Sequence, residues 1–230
     1  MQGARLRREP SEAEQLMQVV VDEASVPSRV ERLLGITLEH LARVTQAAAG
    51  GRNSATSFHP SSTPGSNMYS EGTAALRRAL VHEPGWEFDE DNQQPRTFNG
   101  ERRITVIVQS GDEMTGIDGP RPPRSKHGKG HATRHKVNIN NQLPLFELAA
   151  PDGLSNELTL HTWVLLMAEV DGQLRAELSR PDGMDDAGRV SSWTERILLP
   201  VTPLGGDFDI DLTRVEDGDQ GDGFDVTWQS

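Results

Sequence analysis

The sequence predicts an α+β protein in which N-terminal helices are followed by a mainly antiparallel β-sheet meander. Three observations support this class. Apolar residues recur at helical spacing before residue 50, strand-forming residues dominate 158–200, and Asp171-Gly172 divides that second region. Because Asp-Gly readily adopts the positive φ angles of a two-residue turn, it predicts a β-hairpin between adjacent strands.

Capping signals divide the N-terminal region into helices. Capping-box spacing at Ser11 predicts a first helix that passes through Val20 and ends before Pro27. A second capping box at Ser28 predicts another helix, which we expect to end at Gly50, where two glycines follow one another.

Two further helix boundaries can be placed. Gly35 is expected to split the second helix, with Thr37 as the new N-cap. A third helix is predicted near 70–82, because Pro84 follows and cannot continue it.

Residues 50–68 are rich in Ser, Gly and Pro, a composition typical of a linker. We therefore predict three parts: an N-terminal helical pair at 1–49, the linker at 50–68, and an α+β sheet domain at 69–230. The sheet domain contains a basic loop, residues 121–136.

Short apolar runs predict the remaining strands. Asn99-Gly100 indicates a hairpin before a strand at 104–108, and residues 110–131 are mostly loop because they hold five Gly and three Pro. A short helix is expected near 132–143. The strand at 158–170 is apolar on both faces, and the loop at 181–188 precedes the last long strand.

The predicted sheet also has shorter strands and a defined core. Two strands are expected near 208–213 and 223–228. Four large side chains of the meander are predicted to be buried: Trp163, Leu165, Leu178 and Ile197.

Composition excludes several classes of function. The 230 residues include no cysteine, so disulfides, thiolate metal sites and cysteine nucleophiles are excluded, and a cytoplasmic location is expected. No apolar run is long enough to span a membrane. The net charge of −12 argues against broad non-specific DNA binding, which requires Lys and Arg to neutralise phosphates.

The charge is segregated along the chain. From residue 201 to the last residue there are eight acids and one base, whereas the basic loop has no acid. The candidate residues for contact with nucleic acid or an acidic partner are the six cations of the loop: Arg121, Arg124, Lys126, Lys129, Arg134 and Lys136.

Three histidines of the loop, His127, His131 and His135, are weak candidates for metal binding. Residues four apart share one face of a helix and can chelate zinc. However, Gly128 and Gly130 disfavour a continuous helix, and the loop offers no carboxylate ligand. We therefore predict no metal site and no cofactor.

No catalytic motif is present. The sequence lacks the Gly-x-Ser-x-Gly nucleophile elbow, the His-Glu-x-x-His zinc motif and the Gly-x-Gly-x-x-Gly dinucleotide motif. The motifs do not decide whether the chain is an enzyme, but a non-catalytic protein is favoured. An enzyme site assembled from dispersed acids stays open as a third interpretation.

Three segments of the predicted sheet, 162–166, 175–179 and 193–200, resemble uncharacterised proteins carried by bacterial prophages and other mobile elements. The resemblance implies a bacterial, cytoplasmic setting and a role near DNA metabolism, defence or counter-defence.

Together these observations favour a non-catalytic protein-interaction or accessory protein of a bacterial mobile element. The alternative is a nucleic-acid-binding or processing protein that uses the basic loop. A partner protein is expected in the first case, and phosphate contacts dominate in the second, because the loop has no aromatic residue for base stacking.

Overall fold

The computed structural model describes residues 17–20, 24–91, 94–128, 131–140 and 160–205. The helices are α1 Ser25–Leu34, α2 Leu38–Asn53, α3 Thr63–Val81 and α4 His131–Asn140. The strands are β1 Gln18–Val20, β2 Trp86–Asp91, β3 Gln94–Asn99, β4 Ile104–Ser110, β5 His161–Val170, β6 Gln173–Met184, β7 Val190–Leu198 and β8 Thr202–Pro203.

The strands form one mixed, mostly antiparallel sheet, which confirms the predicted α+β class. Their order is β1-β7-β6-β5-β4-β3-β2, and β8 pairs with β6. Two pairs are parallel, β1 with β7 and β4 with β5, and the others are antiparallel. The long apolar strand β5 therefore lies at the centre.

The main core lies between one face of the sheet and helices α1, α2 and α3. Alternate residues of a strand point to opposite faces, so Trp163, Leu165 and Met167 of β5 all point into this core. Leu178 of β6 and Ile197 of β7 join them. The four residues predicted to form the core are confirmed as buried.

The opposite face carries a smaller core. Val164 and Leu166 of β5 pack there with Ile107 of β4 and Val137 of α4. Trp193 completes it, and its indole N–H donates to the Pro123 carbonyl at 2.9 Å. The apolar run of β5 is thus covered on both faces, as its sequence predicted.

The Asp171-Gly172 hairpin is confirmed, and a hairpin also follows Asn99, but not with the positive φ angles that Asn-Gly predicts for a two-residue turn. Asp171 and Gly172 have φ angles of 53° and 73° and join β5 to β6. Asn99 ends β3 and pairs with Ile104, so residues 100–103 form the turn, and its positive φ, 55°, belongs to Arg103.

The N-terminal helix boundaries are corrected in part. The first predicted helix is wrong at Val20, because this residue belongs to β1, which pairs in parallel with β7. α1 begins at Ser25 and holds Pro27 in its first turn, where the missing N–H is tolerated. Gly35 ends α1 with a φ of 80°, and Thr37 caps α2, as predicted.

The predicted end of α2 at Gly50 is wrong, because the helix continues to Asn53. A Cβ on the neighbouring Gly51 would lie 2.8 Å from the Asn67 carbonyl oxygen of α3, so glycine there permits close helix packing. α3 also begins earlier than predicted, at Thr63, with Pro64 in its first turn.

The remaining predictions concern a loop, two short strands and the linker. The loop predicted at 181–188 is shortened because β6 continues to Met184. The strands predicted at 208–213 and 223–228 lie outside the described residues. The division at 50–68 stays a prediction about independent folding. Among the helices described, none is both long and apolar enough to cross a membrane.

Candidate functional site: a cleft at the carboxyl ends of β4 and β5

A cleft opens where the two central parallel strands end. Because β4 and β5 run in the same direction, Ser110 and Val170, their last residues, lie at the same edge of the sheet. The cleft has a volume of about 1060 Å³ and is also lined by the first turn of α3. Ligands of open α/β sheets commonly bind outside the carboxyl ends of parallel strands.

One wall of the cleft is part of the basic loop, and backbone hydrogen bonds fix it. The Lys126 N–H donates to the Ser110 carbonyl at 2.8 Å, and the Asp112 N–H donates to the Arg124 carbonyl at 3.0 Å. Ser125 is buried and its N–H donates to Val190 on β7 at 2.9 Å. Arg124 and Lys126, which flank Ser125, are exposed and line the cleft.

The acids and the cations of this cleft differ in their pairing. The cations that line the cleft include Arg124, Lys126 and Arg189. Their side chains form no hydrogen bond or ion pair with a described residue. Each of the four lining acids lies near an arginine, the pairs being Asp112–Arg121 at 2.7 Å, Glu113–Arg121 at 2.5 Å, Glu169–Arg52 at 2.5 Å and Asp171–Arg175 at 3.9 Å. The lining holds equal numbers of acids and of Arg or Lys residues, but Arg121 and Arg175 from outside it partner three of the acids, so three lining cations keep their charge available to a ligand.

The facing wall is the N-terminus of α3. Its N-cap, Ser62, makes no capping hydrogen bond through its side chain. The Thr63 N–H donates to Pro60, but the Gly65 N–H donates to no described residue. A Cβ built on Gly65 would meet no atom within 4 Å, so there is space beside this amide. The partial positive charge of a helix N-terminus adds to that of the cations.

Gln109 contributes to the cleft lining, but its side-chain amide is closed to solvent and shares the sheet face of Ile107, opposite α3. The residue is only 2% exposed, and neither its amide nitrogen nor its amide oxygen has a partner in the structure. Buried polar groups are almost always hydrogen-bonded, so an unpaired amide in this position requires an explanation.

Two of the six predicted contact residues are engaged inside the protein. Arg121 binds Asp112 and Glu113, and its hydrogen bond to Asp112 raises the pKa of the guanidinium. Lys136 is buried, with its Nζ 2.8 Å from Gln94 Oε1 and 3.2 Å from an Asp91 oxygen. Burial lowers the pKa of Lys136. Neither side chain is presented freely to a partner.

The other candidates are dispersed. Arg134 is exposed on α4, whereas Lys129 lies outside the described residues. His127 is exposed at the cleft, and the side chains of His131 and His135 are outside the described part of the structure. Within that part, no three His, Cys, Asp or Glu residues form a group that could hold a metal ion.

Sequence reasoning missed Gly65, Gln109 and Arg189 as cleft residues. A polar Gln directly after the apolar run 104–108 was the one available signal, since it marks the end of a buried strand. Gly65 and Arg189 are far from the basic loop in sequence, and only folding brings them to the same cleft.

A second surface feature adjoins the cleft. Phe58 is 96% exposed in the connection between α2 and α3, which also supplies Ser61 to the cleft. The turn is held by hydrogen bonds: the Thr56 N–H donates to His59 Nδ1 at 3.0 Å, and the His59 N–H donates to the Thr56 carbonyl at 3.0 Å. A large apolar side chain is therefore presented on an ordered turn.

Comparison with known protein families, with curated proteins and with solved structures finds no match. The functional conclusions therefore depend on the geometry of this chain.

Proposed function

We propose that this chain is a non-catalytic protein-interaction protein and that Phe58 is the anchor for its partner. The supporting observation is the 96% exposure of this aromatic ring on a hydrogen-bonded turn. Aromatic side chains dominate the binding energy of many interfaces, and a turn that is already ordered loses little conformational entropy on binding. The partner would offer an apolar pocket to the ring.

The charge beside the turn defines the partner further. Arg124 and Lys126 line the adjoining cleft without a described partner, so an acidic surface around the apolar pocket would be complementary. We also propose a bacterial cytoplasmic setting on a mobile element. This part is supported by the sequence resemblance and by the lack of cysteine.

The test is an affinity purification from nuclease-treated bacterial lysate, followed by calorimetry with the purified partner. Phe58→Ala should weaken binding roughly 30-fold, the effect of losing an interface anchor. The matched control is Phe88→Ala, because Phe88 is 52% exposed and lies under the Arg77 guanidinium at 4.8 Å. Unchanged affinity in the Phe58 variant, or equal loss in both variants, would contradict the proposal.

Nucleic-acid binding is the second candidate function, favoured by the adjacent unpaired cations Arg124 and Lys126. It is opposed by the net charge of −12 and by the internal pairing of Arg121 and Lys136. If it is correct, affinity for duplex DNA should fall by about 0.9 log units per neutralised phosphate for each log unit of salt.

A salt-titrated gel shift tests this second candidate. Replacing four cations with Ala should weaken binding nearly equally for all DNA sequences: Arg124, Lys126, Lys129 and Arg134. The control variant removes Arg32 and Arg78, which are exposed on α1 and α3. The absence of a shift by wild-type protein at low salt would exclude the nucleic-acid function for the isolated chain.

A further inference from the structure

We infer that the cleft binds a small phosphorylated molecule, with its phosphate held by Arg124, Lys126, Arg189 and the Gly65 N–H. This inference goes beyond the protein-interaction proposal and does not depend on Phe58. It assigns a ligand class to the cavity itself, which a surface anchor beside the cavity does not explain.

The cleft favours an anion because its acids have ion-pair partners, whereas three of its cations have none among the described residues. All four lining acids have an arginine within 4.0 Å, whereas the side chains of Arg124, Lys126 and Arg189 have no described partner. Bringing like charges together costs free energy unless a counter-charge joins them. Four acids and four Arg or Lys residues line the cavity, so the charge available to an anion is that of the three cations without a described partner.

The facing helix favours phosphate as the anion. The first turn of α3 offers the Gly65 N–H, which has no described acceptor and has open space beside it. Ser62 and Ser66 line the same wall and carry hydroxyl donors. A phosphate dianion has enough oxygen atoms to accept hydrogen bonds from both walls, and helix N-termini commonly bind this group.

The shape of the cavity favours a small molecule over a polynucleotide. Its volume of about 1060 Å³ matches the upper range of small-ligand sites. Two of its lining acids are well exposed, the Glu113 side chain at 68% and the Asp171 side chain at 87%. Arg121 and Arg175 offset these exposed carboxylates only in part, so the carboxylates oppose a phosphate chain that continues past them more than a single phosphate beside Arg124 and Lys126.

The test is calorimetry on the full chain with three probes: inorganic phosphate, ribose 5-phosphate and adenosine 5′-monophosphate. At least one ester should bind with a Kd of about 1 mM or tighter, and more tightly than inorganic phosphate. Arg124→Ala/Lys126→Ala should weaken that binding roughly tenfold or more, because charge-assisted hydrogen bonds are lost. Arg32→Ala/Arg78→Ala, which changes the net charge equally, should leave it unchanged.

Three results would overturn the inference: no binding of any probe by the wild-type protein, equal weakening by the control variant, or binding of duplex DNA with no binding of either ester. The last result would identify the cleft as a nucleic-acid site. Phe58→Ala should leave ester binding unchanged, so failure of the protein-interaction proposal is recognised separately.

Discussion

The Glu177 carboxylate and the Arg196 guanidinium form a bidentate ion pair in the interior, on the sheet face opposite the three N-terminal helices. Arg196 Nε lies 3.0 Å from Glu177 Oε1 and Nη2 lies 2.5 Å from Oε2, with side-chain exposures of 1% and 0%. Glu177 also accepts the Gly116 N–H at 2.8 Å, and Arg196 donates to the Ile117 carbonyl at 2.9 Å. The pair thereby fastens the loop that leads to the basic wall of the cleft.

Breaking this pair should be strongly destabilising. Arg196→Met leaves the Glu177 carboxylate buried without its counter-charge and should cost about 3–5 kcal/mol of unfolding free energy. The double variant Glu177→Leu/Arg196→Met should be more stable than Arg196→Met, because the stranded charge is gone. Urea unfolding measures both, and a double variant less stable than the single variant would contradict the buried-pair explanation.

Shortening a buried side chain of the central strand should lower the unfolding free energy. Leu165 is 0% exposed in the middle of β5, so Leu165→Ala should lower the unfolding free energy by about 2–5 kcal/mol. Val201→Ala is the control, since Val201 is 45% exposed. A loss below about 1 kcal/mol in the Leu165 variant would contradict the burial of Leu165 at the centre of the sheet.

Acid should weaken the β2–β3 pairing. The hydrogen bonds from Arg96 lower the pKa of Asp89, with Nε–Oδ1 and Nη2–Oδ2 distances of 2.6 and 2.8 Å. A lowered carboxyl pKa stabilises the fold above the unfolded value of about 4, and this contribution is lost as the pH falls through the folded pKa. Wild-type stability should therefore fall more than that of Asp89→Asn between about pH 5 and about pH 3.

The Asp89 effect should be small, because the side chain is 43% exposed and solvent screens the pair. Asp186→Asn, at an exposed position, serves as the control for general charge removal. Identical acid dependence in wild type and Asp89→Asn would show that the Arg96 pair does not respond to pH.

The connection between α2 and α3 should be the first part of 50–68 to be cleaved. Phe58 is exposed there, and chymotrypsin cuts after aromatic residues, so limited digestion should cut the wild-type chain at this bond but spare it in Phe58→Ala. Early cuts within 158–200 would contradict the assignment of that region to the stable sheet.

The same digestion tests the predicted domain division. Val30 of α1 and Leu41 of α2 are buried in one core with the sheet, so the two fragments are expected to stay together during native gel filtration. Their separation would support independent folding of 1–49 and 69–230.

The sequence by itself determined the features that depend on a few neighbouring residues. Asp171-Gly172 marks a hairpin because its required positive φ angles are a local property. Gly35 and Thr37 mark a helix end and a helix start for the same reason. Asn99-Gly100 marked the place of a hairpin but not its geometry, since the positive φ of that turn lies at Arg103. The apolar run of β5 indicated a central strand because both of its faces must be covered.

The tertiary structure alone decided which distant residues meet. Val20 has a helical sequence context but pairs with β7, and pairing across the chain overrides local propensity. The sequence places Lys136 in the basic loop as a candidate contact residue, yet the structure buries it beside Asp91. Gly65 and Gln109 reach one cleft because β4 and β5 end together, an outcome set by the burial of the whole sheet rather than by local spacing.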